Sequence, residues 1–410
     1  MRILYISKYT ILPEYGAATR QYFLSKGLSE QGHEVMLVGS RSTLGKVPEV
    51  NGLFRSCTTG NLQLITLNGP TVTAGFNLRR LKSWFIFERQ IVAFRKYIKQ
   101  FKPDVVIVSS LSILTFLSGV FLKKWLKIPL VLEVRDIYPL TLIEVGGYKK
   151  SHPAVRFLSW VEKYGYKHAD LIMSTLPNAK EHVQKVLKRP FNFKWLPMGV
   201  DPEYFDQSSK PFPEFRKNDE FWIGYAGTIG VANALNTLFE TAAEMEAEYP
   251  HIKFAIIGDG PLKQSFKDKY GHLKNLVFFD PVPKVALQDF LTKMDVLVNT
   301  WLDKPIYRFG ISPNKWIDYM LSGRPLLVAF SGFPCIVDEA GCGKFVPAEN
   351  KTALKQGILD FFAMNKEQLE QMGANGRKYL LENLDYRILS TQLEESLSRL
   401  TNKKKSLVNE

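Results

Sequence analysis

An α/β architecture of two Rossmann-like, doubly wound parallel-sheet domains facing a cleft is what this 410-residue sequence predicts. Three observations carry that expectation. Short β-rich runs alternate with helical stretches almost throughout. The runs fall into two series, each long enough for one open sheet. Between the series lies DPEYFDQSSKPFPEFRKNDE, a polar, Pro-bearing stretch without periodicity that reads as a linker. The length independently asks for two or three domains.

In chain order the first series runs RILYIS, EVMLVGS, LQLITL, DVVIVSS, LVLEV, DLIMST and KWLPMGV. The second runs FWIGYAG, FAIIGD, LVFFD, VLVNT, PLLVAF and KFVPA. Strands separated by helices return through crossovers and so pair in parallel. Residues 1–200 are read as one domain and 201–384 as the second. Residues 385–410 are read as a C-terminal helix and basic tail that pack back on the first, with TNKKKSLVNE frayed.

Two segments of the first half have more than one reading. Val105–Leu122 is 18 residues without a charge, the length of a membrane span. It also holds four serines, a threonine and a glycine, and divides into a buried strand, a helix and a further strand. The strand–helix–strand reading is preferred, with membrane insertion as the alternative. Further upstream, Trp84, Phe87, Ile91, Phe94, Ile98 and Phe101 recur at spacings of 3 and 4, one apolar helical stripe. Arg79, Arg80, Lys82, Arg89, Arg95, Lys96, Lys99 and Lys102 occupy the rest of that helix. The basic face is either merely solvated or seated on anionic lipid.

Composition narrows the function classes. At 45% hydrophobic, 13% aromatic and 23% charged, the chain is neither disordered nor fibrous. Cys57, Cys335 and Cys342 are too few and too scattered for a disulfide scaffold or a zinc site, which points to a reducing cytoplasm. The N-terminus reads as a strand that starts at once, with no secretory signal. Charge is uneven: residues 1–200 carry 29 Lys and Arg against 12 Asp and Glu, a net of +17, and the remainder nets −3. The first half is therefore expected to meet something anionic.

Candidate chemistry clusters at strand–helix junctions. After the first strand, PEYGAATR puts Gly16 before a helix whose N–H groups suit an anion, although an ordinary turn fits equally well. In the second half YAGTIG (Gly227, Thr228, Gly230) and IIGDGP (Gly258, Asp259, Gly260, Pro261) follow consecutive strands, at the carboxyl ends where open sheets bind ligands. The most informative segment is YRFGISPNKWIDYMLSGRP. Ser312 is placed as an N-cap with Pro313 at the first helical position. Asn314, Lys315 and Asp318 then occupy the first turns, with Lys315 and Asp318 on one face. A helix N-terminus with a lysine suits a phosphate, and a carboxylate one turn later suits a ribose diol. The alternative is an ordinary capped helix with a surface Lys–Asp pair.

In combination, SPNK, DYM and SGRP after GDGP and YAGTIG resemble the donor domain of retaining family 4 glycosyltransferases of the GT-B fold. PEYGAATR, GHEV and LEVRDIYP resemble the N-terminal domain of the same family. The similarity covers residues 1–385 and is greatest to the bacterial O-antigen and capsule branch, including N-acetylfucosaminyl transferases. The resemblance implies that Asp318 grips the ribose hydroxyls of a nucleotide sugar, while Lys315 and the backbone of Ser312 and Asn314 hold the pyrophosphate. It implies that Gly16 approaches the distal phosphate, that Gly258–Pro261 and the Pro281–Lys284 turn line the base pocket, and that Arg135 or Asp136 lies near the donor sugar.

The departures bear on the donor. Where many members pair two glutamates eight positions apart, this chain has Gly310 and Asp318. The Arg and Lys that many members carry after the YAG-like strand are absent, with Asn233 near the second; Arg308 and Lys315 are the available substitutes. Tyr15 replaces the first glycine of the usual pair. No DxD motif occurs, so no metal and no cofactor are expected, and cationic and helix-dipole stabilisation of the leaving nucleotide takes the metal's place. The implied activity is transfer from a UDP-sugar, an N-acetylated 6-deoxy sugar among the candidates, to a lipid-linked or polysaccharide acceptor. The implied location is the cytoplasmic face of the membrane, peripheral on an anionic surface. The alternatives are a UDP-sugar 2-epimerase of the same fold, which would need carboxylates not assignable here, and a basic nucleic-acid-binding protein, for which no recognition motif is present.

Overall fold

A computed structural model describes residues 1–10, 12–13, 19–41, 49–70, 78–206, 211–217 and 219–408, with backbone alone at 205–206, 284–285 and 404–408. The chain divides into two compact units, Met1–Pro197 with Tyr386–Glu410, and Met198–Asp385. The basic excess follows this division, with net charges of +19 and −5.

Unit 1 alternates β1 (Arg2–Ile6), α1 (Arg20–Glu30), β2 (Glu34–Ser40), β3 (Phe54–Thr59), β4 (Leu62–Leu67), α2 (Leu78–Phe101), β5 (Val105–Ser109) and α3 (Thr115–Leu126). It continues with β6 (Leu130–Val134), α4 (Leu140–Glu144), α5 (Pro153–His168), β7 (Leu171–Ser174), α6 (Ala179–Leu187) and β8 (Phe193–Trp195). Its eight-stranded sheet has the order β3-β4-β2-β1-β5-β6-β7-β8 and is parallel except for the β3–β4 hairpin. β5 and β6 are buried along their whole length because helices cover both faces of a parallel sheet. The uncharged Val105–Leu122 run is therefore a core strand and most of a helix, and among the described residues no helix is long and apolar enough to cross a membrane. On α2 the stripe Trp84, Phe87, Ile91, Phe94 and Ile98 is buried at 0–1% exposure.

Unit 2 opens with α7 (Pro202–Asp206) and contains β9 (Phe221–Ala226), α8 (Leu235–Met245), β10 (Ile252–Ile257), α9 (Lys263–Tyr270), β11 (Leu276–Phe279), α10 (Lys284–Thr292) and β12 (Val296–Thr300). It then runs α11 (Asn314–Leu321), β13 (Leu326–Ala329), α12 (Ile336–Glu339), β14 (Gly343–Val346), α13 (Lys351–Phe362) and α14 (Lys366–Asn383). All six strands pair in parallel, in the order β11-β10-β9-β12-β13-β14. The chain winds one way from β9 and resumes on its other side at β12, so the topological switch point lies between those two strands.

Two expectations are corrected here. The second half of the expected linker is packed into unit 2: Phe212 and Phe215 each meet Phe279 and Phe290 with ring centroids 4.8–5.9 Å apart, and Arg216 pairs with Asp295 at 2.9 Å. Aromatic burial holds this stretch without any periodic pattern. The expected frayed tail is helical through residue 408, as the end of α15 (Tyr386–Val408). That helix lies on α1: Tyr386 stacks on Phe23, and Ser390 donates to the Leu24 carbonyl at 3.2 Å.

Candidate functional site

The carboxyl ends of β9 and β10 carry two loops in backbone contact. A Cβ on Gly258 (φ +146°) would stand 1.9 Å from the Gly227 carbonyl oxygen, so only glycine fits there. Asp259 accepts from the Gly260 N–H at 2.8 Å through its side chain and from the Ile229 N–H at 2.8 Å through its carbonyl. Gly227, Gly258 and Gly260 thus close one floor, with Thr228 and Asp259 exposed above it.

Lys315 reaches this floor from α11, and its Cε would collide with a Cβ on Gly227 at 2.4 Å. The ammonium donates to the Tyr225 hydroxyl at 2.7 Å and to the Asn233 side-chain carbonyl, and sits 4.5 Å from the Tyr225 ring centre. Tyr225 passes its own hydroxyl proton to the Thr228 carbonyl at 2.7 Å, which also accepts from the Asn233 amide at 2.9 Å. Both of these hydrogen-bond partners of Lys315 are neutral. Burial without a counter-charge pushes the ammonium down to about 7. An enclosed cation with uncharged partners is a ready anion site.

α11 is held to the switch point by its apolar and aromatic face. Trp316 donates to the Asn299 side chain on β12 at 3.0 Å, and the Ala226 N–H at the end of β9 donates to the Tyr319 hydroxyl at 2.8 Å. Asp318 follows Lys315 by three residues, 8% exposed, its main-chain carbonyl accepting from Gln288. The helix starts one residue later than expected. Pro313 is the extended cap residue (φ −79°, ψ 140°), Ser312 lies outside, and no side chain caps the helix. Asn314 is exposed and begins the first turn. Arg308 donates to the Pro305 carbonyl of its own 3₁₀ turn and covers the Phe309 ring. Gly310, at the position of the absent glutamate, adopts φ +84°, so a side chain there would be strained.

Unit 1 has its own polar assembly at the ends of β1, β5 and β6. Glu133 on β6 and Arg20 opening α1 are fully buried and pair at 2.8 Å. Gln21 donates to the other Glu133 oxygen at 3.1 Å, and Arg20 also donates to the Pro197 and Leu196 carbonyls, the last residues before unit 2. Burial alone would push the Glu133 carboxyl up, but the Arg20 and Arg135 guanidinium groups hold it below the usual carboxylate range. Arg135 donates its main-chain N–H to Ser110 at 2.9 Å. Asp136 accepts from Thr141 at 2.5 Å, and burial raises its carboxyl. Beside them Arg80 and Trp84 both donate to the Tyr9 hydroxyl, at 3.3 and 2.8 Å.

The structure therefore brings Gly227, Thr228, Gly258, Asp259, Gly260, Lys315 and Asp318 into unit 2 around one switch point, and places Arg135 and Asp136 in unit 1. Gly16 and Tyr15 lie outside the described residues. Sequence reading missed Tyr225, Arg20, Gln21 and Glu133. An acid inside the apolar strand LVLEV was the one visible sign, because a buried carboxylate needs a partner. Among the described residues no group of three or more His, Cys, Asp and Glu could hold a metal ion.

Comparison with known proteins gives this geometry its context. Residues 15–204 match the family described as Glycosyltransferase Family 4, and residues 220–363 match Glycosyl transferases group 1. The protein described as probable glycosyltransferase WbjE of Pseudomonas aeruginosa is 24% identical over 298 residues, 69% of this chain and 71% of that one. Sucrose-phosphate synthase from Thermosynechococcus elongatus superposes with a TM-score of 0.75 over 98% of this chain and 99% of its own, at 15% identity. An E. coli structure described as trehalose-6-phosphate bound with UDP-2-fluoro glucose gives 0.72 over 97% and 99%, at 12% identity. These matches favour neither the epimerase nor the nucleic-acid alternative. Matched by glycosyltransferase families across both halves and built on two parallel-sheet Rossmann-like units, the chain is a glycosyltransferase of the GT-B fold.

Proposed function

We propose that the protein transfers a sugar from a UDP-linked donor to a lipid-linked glycan, with retention of configuration, in cell-surface polysaccharide synthesis at the inner face of the membrane. The observation that carries the donor half is the enclosed Lys315 ammonium, held by the neutral Tyr225 and Asn233 side chains at the switch point of unit 2. A diphosphate there supplies the missing counter-charge, and the first N–H groups of α11 point their dipole at it. In transfer, the bond from the anomeric carbon to the diphosphate oxygen breaks and charge grows on the leaving group. Lys315 and the helix terminus stabilise that charge without reorganising. The acceptor hydroxyl forms the new bond on the face that the leaving group vacates, and its proton leaves with the departing phosphate.

Asp318 takes the ribose hydroxyls, and the Gly258–Pro261 and Pro281–Lys284 turns enclose the base. Ser312, Pro313 and Asn314 shape the diphosphate turn, with Arg308 at its edge, and the resemblance alone assigns Gly16 to the distal phosphate. Arg135 and Asp136 are assigned to the sugar through the resemblance. The high positive charge of unit 1 supports an anionic, membrane-borne acceptor. The test incubates the enzyme with UDP-sugars and undecaprenyl-diphosphate-linked sugars, following UDP release and the anomeric configuration of the product by NMR. An inverted product refutes retention; no UDP release with any pair refutes the donor assignment.

A further inference from the structure

We propose that the solvent face shared by α2, α3 and α5 is the surface by which this protein docks on an anionic phospholipid bilayer. The purpose of such docking rests on the membrane-acceptor reading above; the surface itself stands on its own observations. Phe85 of α2 is 46% exposed and stacks on Phe157 of α5, ring centres 6.1 Å apart. Phe157 continues onto Trp160 at 6.1 Å, and Trp160, 53% exposed, continues onto Tyr164 at 5.4 Å. On α3, Phe121 and Trp125 form a second exposed stack, centres 5.9 Å apart. Lys124 ties the two helices together, donating to the Tyr164 hydroxyl at 3.2 Å above its ring. Exposed apolar residues are ordinarily scattered; contiguous stacked rings mark an interaction surface.

Charge selects the occupant. α2, α3 and α5 together carry twelve Lys and Arg and only two acids, Glu88 and Glu162. Both acids are engaged, Glu88 by Ser118 and Glu162 by His182 at 2.7 Å. Along α5, Arg156, Trp160, Lys163 and Lys167 are all exposed and recur at spacings of 4, 3 and 4. This mixture of cations and indole on one face is that of a helix lying in a headgroup layer: rings enter the acyl boundary while lysines meet phosphates. It differs from the Arg95–Lys102 stretch at the end of α2, where the exposed chains are mainly cationic and Tyr97 stacks on Phe94 and meets Phe54 edge-on.

The experiment measures sedimentation of the full chain with phosphatidylcholine vesicles, with and without phosphatidylglycerol, and quenching of tryptophan emission by brominated acyl chains. Wild type should bind the phosphatidylglycerol vesicles, be quenched, and lose at least about tenfold in affinity from ~50 to ~300 mM salt. Trp125→Ser with Trp160→Ser should lose about tenfold or more and most of the quenching. Lys124→Gln with Lys163→Gln and Lys167→Gln should lose a similar factor, and serves alone if the serine variant fails to fold. Arg95→Gln with Lys96→Gln, Lys99→Gln and Lys102→Gln should bind nearly as wild type. Vesicle binding unchanged in the folded variants, or wild type released from vesicles by a single-stranded oligonucleotide, overturns the proposal. Calorimetry with UDP on the same variants should match wild type, which separates this surface from the donor assignment.

Discussion

Lys315→Met removes the one group whose ionisation the donor site is expected to control. Burial holds the ammonium at about 7, below its usual 10.5. Between those values the unfolded chain binds a proton that the native state lacks, so stability rises with pH across that window. Below 7 the native state bears the whole cost of burying the charge, roughly 3–5 kcal/mol for this displacement. A diphosphate beside Lys315 reverses the balance and restores the charged form. UDP binding at pH 8 should therefore take up most of one proton, read by calorimetry in buffers of different ionisation enthalpy. The methionine variant should lose that uptake, bind UDP roughly 10- to 150-fold more weakly for a lost charge-assisted bond of about 1.5–3 kcal/mol, and melt no lower than wild type at pH 6. UDP bound by Lys315→Met with undiminished affinity, or by wild type without proton uptake, would refute the reasoning.

Three further outcomes are expected. Asp318→Ala should weaken UDP binding by about 1.5–3 kcal/mol without unfolding the protein, and unchanged affinity by calorimetry removes Asp318 from the site. Glu133→Ala should leave Arg20 buried without its carboxylate and cost about 3–5 kcal/mol; a melting point within a degree or two of wild type would show the pair to be dispensable. Transfer should persist in excess EDTA, since the leaving diphosphate is assigned to Lys315 and α11 rather than to a divalent ion; activity abolished by chelation and restored by manganese or magnesium would contradict that assignment.

The central parallel strands were legible because each is a short β-rich run buried on both faces, as in β5, β6, β7, β12 and β13. β3 was not: FRSCTT is almost wholly exposed and sits at the sheet edge, so neither alternation nor an apolar run marks it. Between α14 and α15 the chain breaks at Leu384–Asp385, where it pairs with Val200, although neither Gly nor Pro signals the stop. Within the candidate site, Lys315 and Asp318 stood out because they share a motif at a helix start. Its hydrogen bonds to Tyr225 and Asn233 did not, since those residues lie 90 and 82 positions upstream. Arg20 and Glu133, 113 residues apart, were hidden for the same reason. Local spacing reports a turn of helix; it carries no record of which distant side chain a fold will bring beside it.

The most direct test of the central claim is a thermal-shift panel of UDP-, GDP- and dTDP-sugars against the full-length protein. A nucleotide that binds only the native state stabilises it by mass action, about 2.7 kcal/mol at a hundredfold excess over Kd. For a unit of this size that raises the melting point by several degrees, at roughly 2–4 °C per kcal/mol. The account predicts such a rise with UDP and UDP-sugars, cut by about half or more in Lys315→Met. A panel in which no nucleotide shifts the transition, or in which GDP or dTDP does so while UDP does not, would contradict it.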